Sequence, residues 1–291
     1  MKLAVLGSPI GHSKSPVLHR AAYGALGLDW QYEAIDVSSA DLRAFIGSRT
    51  SEWRGLSLTM PLKREVMQLL DERDDFSTLT GVANTLLFHE HAGDWTLRGF
   101  NTDVCGITEA LRTSGINSAQ TVQILGSGAT ASSAIVAAKR IGAQTVSLAV
   151  RDLGRAEYLV GLLKELKLDF TFSLLGDKAA HPSQTGPCIL GADADLVIST
   201  LPGGLIDGST FSDELRQKAP LLDVAYDPWP SALASRWLEV GGIVVSGLEM
   251  LLQQALLQVR IFVNGSAAEI LPDESAVFSA MRDAVSRPVT A

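Results

Sequence analysis

Cysteine is scarce: the 291-residue chain holds two, Cys105 and Cys188. They form no metal-ligand spacing and no disulfide framework, which suits a reduced, cytoplasmic protein without a metal. Long apolar runs are missing as well. The most apolar helical stretch, Leu248 to Val263, is interrupted by Glu249, Gln253, Gln254, Gln258 and Arg260, so no segment reads as a membrane span. The opening MKLAVLGSPIGH is apolar only from Leu3 to Leu6; that is too short for a signal-peptide core and reads as a first strand. Positive charge is in deficit, with 24 Lys and Arg against 32 Asp and Glu and a net charge of -8. That balance argues against nucleic acid as a partner, although a few local cations can still govern the binding of a small anion. Internal repeats and low-complexity tracts are absent too.

What is present is globular. Hydrophobic residues make up 46% and charged residues 19%, in a chain long enough for two domains. Strand and helix signals alternate. Strands are expected at Leu3 to Leu6, Gln31 to Val37, Gly55 to Thr59, Val82 to Phe88 and Trp95 to Phe100, the last two joined by the turn His89 to Asp94. Helices are expected at Pro16 to Ala25, Ala40 to Ile46, Pro61 to Leu70 and Val104 to Thr113. A second series runs from Thr121: strands at Thr121 to Leu125, Thr145 to Val150, Asp195 to Thr200, Leu221 to Ala225 and Ile243 to Val245. Its helices lie at Ala131 to Ile141, Ala156 to Leu166 and Ser231 to Val240, with a loop at Gly176 to Gly186. Strands spaced by helices imply an α/β protein with parallel sheets covered on both faces.

Gly126-Ser127-Gly128-Ala129-Thr130-Ala131 fits G-x-G-x-x-G/A directly between a strand and a helix, the context a dinucleotide-binding loop requires. Gly126 permits the tight turn, Gly128 lets a pyrophosphate approach the backbone, and Ala131 lets the helix pack close. The free N–H groups of the helix start then receive the phosphates. The alternative is a strand–turn–helix whose glycines serve only the turn. Arg151 and Arg155 follow the next strand, where an acid would select NAD and cations select NADP; two guanidinium groups there favour NADP(H). Asp152 points the other way, and both arginines also read as ordinary surface residues.

Three further segments carry more polar residues than packing needs. Ser13 and Ser15 precede a helix and suit either helix capping or bonds to a hydroxylated or carboxylate ligand. Lys63 falls in the first turn of the helix after Pro61, where an ammonium is disfavoured; such a lysine can exchange protons, or be an exposed residue on an amphipathic helix. Asp103 begins a helix, as a cap or as a functional carboxylate, and Asn84 needs amide partners if buried.

Taken in order, these blocks resemble the shikimate dehydrogenase family from Leu6 to about Gly265. The matching blocks are the Gly7 to His19 loop, Thr59-x-Pro61-x-Lys63, Asn84-Thr85 and Asn101-Thr102-Asp103. The glycine loop with its arginines, Asp223 to Pro228 and Gly247 to Ala255 complete the set. The resemblance implies reversible NADPH-dependent reduction of 3-dehydroshikimate to shikimate. Lys63 and Asp103 would be the catalytic pair. Ser13, Ser15, Thr59, Asn84, Asn101, Tyr226 and Gln254 would hold the small-molecule substrate. Gly126, Ser127, Gly128, Ala129, Thr130, Arg151, Arg155 and Gly247 would hold NADP. It also implies a substrate domain over residues 1–103 and a Rossmann-type doubly wound domain over 104–246. Helices in 247–291 would return to the first domain, with a cleft between the domains and a monomer or homodimer as the working form. Three positions depart from the family pattern: Ser57 replaces a common Asn, Val150 an Asn, and Leu201-Pro202-Gly203-Gly204 a threonine-bearing loop; the first alters an adenine- or substrate-side contact. The competing readings are a quinate or aminoshikimate dehydrogenase using NAD, and a catalytically silent nucleotide sensor on the same fold.

Overall fold

The computed structural model describes residues 1–91, 94–175, 190–206 and 209–286. The loop read at Gly176 to Gly186 lies outside the described residues, as does Cys188, and so do Ala92 and Gly93 of the turn. The chain divides into two compact units, one comprising Met1–Gly106 with Leu251–Ala291 and the other Ile107–Met250.

The first unit is built on six strands: β1 (Lys2–Gly7), β2 (Gln31–Asp36), β3 (Trp53–Leu58), β4 (Glu72–Arg73), β5 (Thr85–His91) and β6 (Asp94–Phe100). Between them run α1 (Ser15–Ala25), α2 (Leu42–Gly47), α3 (Leu62–Glu65) and α4 (Asp75–Thr80), and α5 (Asp103–Thr113) carries the chain from this unit into the second. The sheet order is β2-β1-β3-β5-β6-β4. It is mixed rather than all-parallel: β1 lies parallel to β2 and β3, while β5 pairs antiparallel with both β3 and β6. The reason is the turn between β5 and β6. Its few residues allow only a hairpin, whereas a parallel pair needs a crossover of a dozen or more. The expected helix from Pro61 to Leu70 is an α-turn at Leu62–Glu65 continued as 3-10 helix over Val66–Leu69.

The second unit alternates strand and helix through much of its length. It contains β7 (Thr121–Leu125), α6 (Ala129–Arg140), β8 (Thr145–Val150), α7 (Leu153–Ala156), α8 (Leu159–Glu165) and β9 (Asp169–Leu174). It continues with β10 (Leu196–Ser199), α9 (Asp213–Lys218), β11 (Leu221–Asp223), α10 (Ala232–Glu239) and β12 (Val244–Ser246). All its strands are parallel, in the order β12-β11-β10-β7-β8-β9. This is the doubly wound dinucleotide-binding topology, and its order reverses between β7 and β10. The strands are apolar on both faces, as Val197, Ile198, Leu221 and Leu222 show by their burial. Helix α11 (Gly247–Asn264) leads back into the first unit, where α12 (Glu274–Ser286) packs on α1. No helix among the described residues is long and apolar enough to cross a membrane.

One polar residue in the first unit's core has a measurable consequence. His19 of α1 is fully buried and stacks on Tyr32 with ring centroids 4.0 Å apart. Burial pulls its pKa from 6.5 to about 3, against a smaller opposing effect of its bond to Gln258. The unfolded chain therefore takes up a proton near pH 6.5 that the folded chain refuses until about pH 3. Stability contributed by this site is lost as the pH falls through that window. Between pH 7 and pH 5 the loss should be about 2 kcal/mol. Urea titrations at both pH values should show a decline in wild type that is shallower by about that amount in His19→Gln.

Candidate active site

The register of the first sheet brings the polar blocks together. Leu6 of β1 pairs with Leu58 of β3, Ser57 with Thr85 at the start of β5, and Thr85 with Phe100 at the end of β6. Because β5 runs opposite to its neighbours, its beginning lies beside their ends. The chain therefore leaves β1, β3 and β6, and enters β5, at one end of the sheet. Backbone bonds lace that end: Thr59 N–H to Leu6 O at 2.9 Å, Ala83 N–H to Lys63 O at 2.9 Å, and Asn84 N–H to Phe100 O at 3.0 Å.

Lys63 Nζ stands 2.6 Å from Asp103 Oδ2, with side chains 13% and 4% exposed. Since α3 is a single turn, this carboxylate is a nearer and larger source of field at Lys63 than any helix dipole. Asp103 Oδ1 accepts from Asn84 Nδ2 at 2.8 Å. The same Asn84 amide nitrogen lies 2.9 Å from Thr102 Oγ1 and 3.3 Å from Gln254 Oε1 on α11. Asn101 accepts the Asp103 N–H at 3.0 Å and donates to Thr80 Oγ1 at 2.8 Å, so its side chain shapes the turn into α5. Beneath it, Asp74 caps α4 through Ser77 N–H and also faces the Asn101 N–H; burial nevertheless pushes its carboxyl up.

Lys63, Asn84, Asn101, Asp103 and Gln254 thus form one connected cluster within the first unit. Thr59 is half-buried at the end of β3 beside them. Ser13 Oγ accepts the Ser15 N–H at 3.3 Å where α1 begins, but the N-cap residue is Lys14 and no side chain caps the helix, so neither serine is the cap its position suggested. Ser57 does not face outward to a ligand: its hydroxyl is buried between Tyr32 and Gln258. Gln258 is the partner that sequence reasoning passed over, since a glutamine on an apolar helix face carries no signal alone, and Thr85 entered only as part of the Asn84-Thr85 block.

In the second unit the glycine loop follows β7, next to the reversal in strand order. Gly126 has φ +106°, and a Cβ there would lie 2.6 Å from Thr200 Oγ1. Gly128 is the N-cap of α6 with no side chain capping the helix, and space around it is open. Ala129 and Thr130 form the first turn, and Ala131 is buried. Tyr158 Oη bonds the carbonyls of Ser127 and Gly128 at 2.9 Å each, a brace the sequence did not announce. Arg151 and Arg155 are exposed just past β8. Asp152, the contrary signal, caps α7 by accepting the Arg155 N–H at 3.1 Å, a structural use for its carboxylate. Tyr226 is half-buried after β11. Gly247 begins α11, and a Cβ there would lie 2.1 Å from Val224 O, so packing alone demands glycine. Among the described residues no group of three His, Cys, Asp or Glu side chains is arranged to hold a metal.

A doubly wound sheet with a glycine loop at its switch point, in a chain that also carries a buried lysine–carboxylate pair, defines a nucleotide-dependent oxidoreductase. Residues 5–86 match the model of the shikimate dehydrogenase substrate binding domain. Shikimate dehydrogenase (NADP(+)) of Methanothermobacter thermautotrophicus is 31% identical over 266 residues, covering 89% of this chain and 90% of that protein. The crystal structure of Mycobacterium tuberculosis shikimate dehydrogenase superposes with a TM-score of 0.81 at 37% identity, covering 97% and 99% of the two chains. The Thermus thermophilus enzyme in complex with NADP(H) and shikimate gives 0.77 at 30% identity, covering 98% and 99%. The chain belongs to the shikimate dehydrogenase family.

The loop geometry has its own test. Gly126→Ala places a side chain in a conformation and a space that reject it, and should cost about 1–3 kcal/mol of stability by thermal or urea unfolding. Gly128→Ala, at an open position with negative φ, should unfold close to wild type.

Proposed function

We propose that this chain catalyses the reversible NADPH-dependent reduction of 3-dehydroshikimate to shikimate. The observation that carries the reading is the nearly buried Lys63–Asp103 bond at 2.6 Å, set among amides and hydroxyls in the unit whose family binds shikimate. The Methanothermobacter and Thermus relatives named above share both shikimate and NADP.

The residues present fit NADP. Gly126, Ser127, Gly128, Ala129 and Thr130 offer backbone N–H groups to the pyrophosphate at an uncapped helix start. Arg151 and Arg155 offer charge-assisted bonds to the 2′-phosphate, and Gly247 completes the set. When bound, NADPH supplies the hydride. The protein's own part is to orient the substrate and move a proton. Lys63 and Asp103 together give a proton to the oxygen that was the C3 carbonyl and recover it in the reverse direction. Ser13, Ser15, Thr59, Asn84, Asn101, Tyr226 and Gln254 hold the substrate's hydroxyls and carboxylate, and Asn84 also adjoins the pair. Both partners are small molecules. The scarcity of cysteine suits a cytoplasmic enzyme, and one chain carries both residue sets, so a monomer or homodimer suffices.

The deciding experiment is a panel of shikimate and quinate, each with NADP and NAD, followed at the nicotinamide absorbance. Turnover of shikimate with NADP is expected; activity confined to quinate with NAD overturns the reading, and no turnover at all favours a nucleotide sensor. Lys63→Met should lower kcat by about 10²–10⁴-fold with NADP affinity nearly unchanged. A raised KM at wild-type kcat would instead make Lys63 a positioning group. Arg151→Ala or Arg155→Ala should weaken NADP by roughly 10- to 150-fold and NAD little, measured by titration of each cofactor. Equal losses for both cofactors would show that these arginines do not read the phosphate.

A further inference from the structure

Behind Asp103 the hydrogen bonds run in one direction, and two backbone groups fix that direction. The Asn84 carbonyl can only accept, so the atom of Gln258 that faces it at 3.2 Å is the amide nitrogen. The Thr102 backbone N–H can only donate, so the atom of Asn84 that meets it at 3.0 Å is the amide oxygen. The remaining protons then have no freedom. Gln258 Nε2 donates to Thr85 Oγ1 at 2.9 Å. The single Thr85 hydroxyl proton goes to Asn84 Oδ1 at 2.8 Å, and Asn84 Nδ2 donates to Asp103 Oδ1 at 2.8 Å.

Upstream the logic repeats. Gln258 Oε1 accepts only. The Ser57 hydroxyl donates to it at 2.8 Å and accepts from Tyr32 Oη at 2.7 Å. His19 Nε2, 3.1 Å from the same oxygen, must carry its proton, which leaves Nδ1 to accept from Tyr23 Oη at 3.1 Å. The chain is buried from end to end, with Tyr23, Tyr32, His19, Ser57, Gln258, Thr85 and Asn84 all at most 3% exposed. Two branches start at tyrosines, join at Gln258 and end on a carboxylate. Burial keeps the tyrosines protonated and the histidine neutral, so every member is a neutral donor.

We propose that Gln258, Thr85 and His19 are positioning residues of the catalytic pair, a one-way chain of donors that locks the Asn84 amide and turns Asp103 toward Lys63. This rests on the assignment of Lys63 and Asp103 as the reacting pair. Aligned hydrogen-bond dipoles in a dry interior polarise one another, and here each presents its positive end toward the carboxylate. With Asn84 Oδ1 held by the Thr85 hydroxyl and the Thr102 backbone N–H, the amide cannot rotate away from Asp103.

Thr85→Val removes the one hydroxyl that joins Gln258 to Asn84 at nearly constant volume, and Thr85→Ser restores it. Expected for Thr85→Val is a fall in kcat of about tenfold or more, the scale of one bond supporting a charged group. Both KM values should stay within about twofold and Thr85→Ser should recover most of the rate. Unchanged kcat overturns the proposal. So does a raised KM for shikimate at wild-type kcat, which would mean that the chain serves substrate binding and not the reacting pair, and so does equal damage by both variants, which would mean packing alone. A second measurement needs no variant: nitrogen NMR of the wild-type enzyme should show His19 as the neutral Nε2–H tautomer from pH 5 to 8. The Nδ1–H tautomer or a titrating ring overturns the chain. Because that reading is independent of turnover, it separates failure of the chain from failure of the proposed activity.

Discussion

A carboxylate withdrawn from water has to be held on every side, and the Asp103 side chain, 4% exposed, sets that requirement for the first unit. Losing hydration costs several kcal/mol unless an opposite charge and enough donors replace it. Lys63 supplies the charge on one oxygen and Asn84 a donor on the other. Those demands reach outward: Asn84 must be held by Thr85 and Thr102, Thr85 by Gln258, and Gln258 by His19 on α1 and Ser57 on β3. A polar interior of this kind is stable only when every member is satisfied.

The sheet meets that requirement by an asymmetry of direction. Had β5 run parallel to β3, Asn84 would sit at the far end of the sheet from Lys63 and Asp103. The reversed β5 puts three loops at one end, so residues 63, 84 and 103, distant in the chain, share one site. The second unit uses the opposite device. Its strictly parallel strands collect loops at their carboxyl ends, and the change of winding between β7 and β10 opens room for the glycine loop.

Much of this was readable from the chain. The alternating strands and helices, the glycine loop, and the blocks around Lys63, Asn84 and Asp103 carry local patterns of apolar spacing or turn chemistry. What was not readable was pairing. The mixed sheet follows from strand direction, which no single segment encodes. The two-residue strand Glu72–Arg73 is too short to show a period, and β9, whose Asp169-Phe170-Thr171-Phe172 does alternate, lay beyond the segments assigned. His19 and Gln258 sit 239 residues apart in the chain, and only the fold reveals them as partners. Ser57 shows the same limit: the sequence marked it only as a departure from a common Asn, and the fold buries it between Tyr32 and Gln258. Asp152 looked like a ribose ligand and proved to be a helix cap.

The first unit is interrupted: Met1–Gly106 and Leu251–Ala291 belong together, with the whole second unit between them in the chain. During synthesis the ribosome delivers β1 through β6 long before α11 and α12 exist. At about 5–20 residues per second, the amino-terminal sheet waits roughly ten seconds or more for Gln258 to satisfy Asn84 and Thr85 and for α12 to cover α1. In that interval the intervening unit, contiguous in sequence, is free to fold by itself. The nascent chain thus holds a finished nucleotide fold beside an unfinished sheet with unsealed apolar and polar surface, the stage at which a chaperone has most to protect.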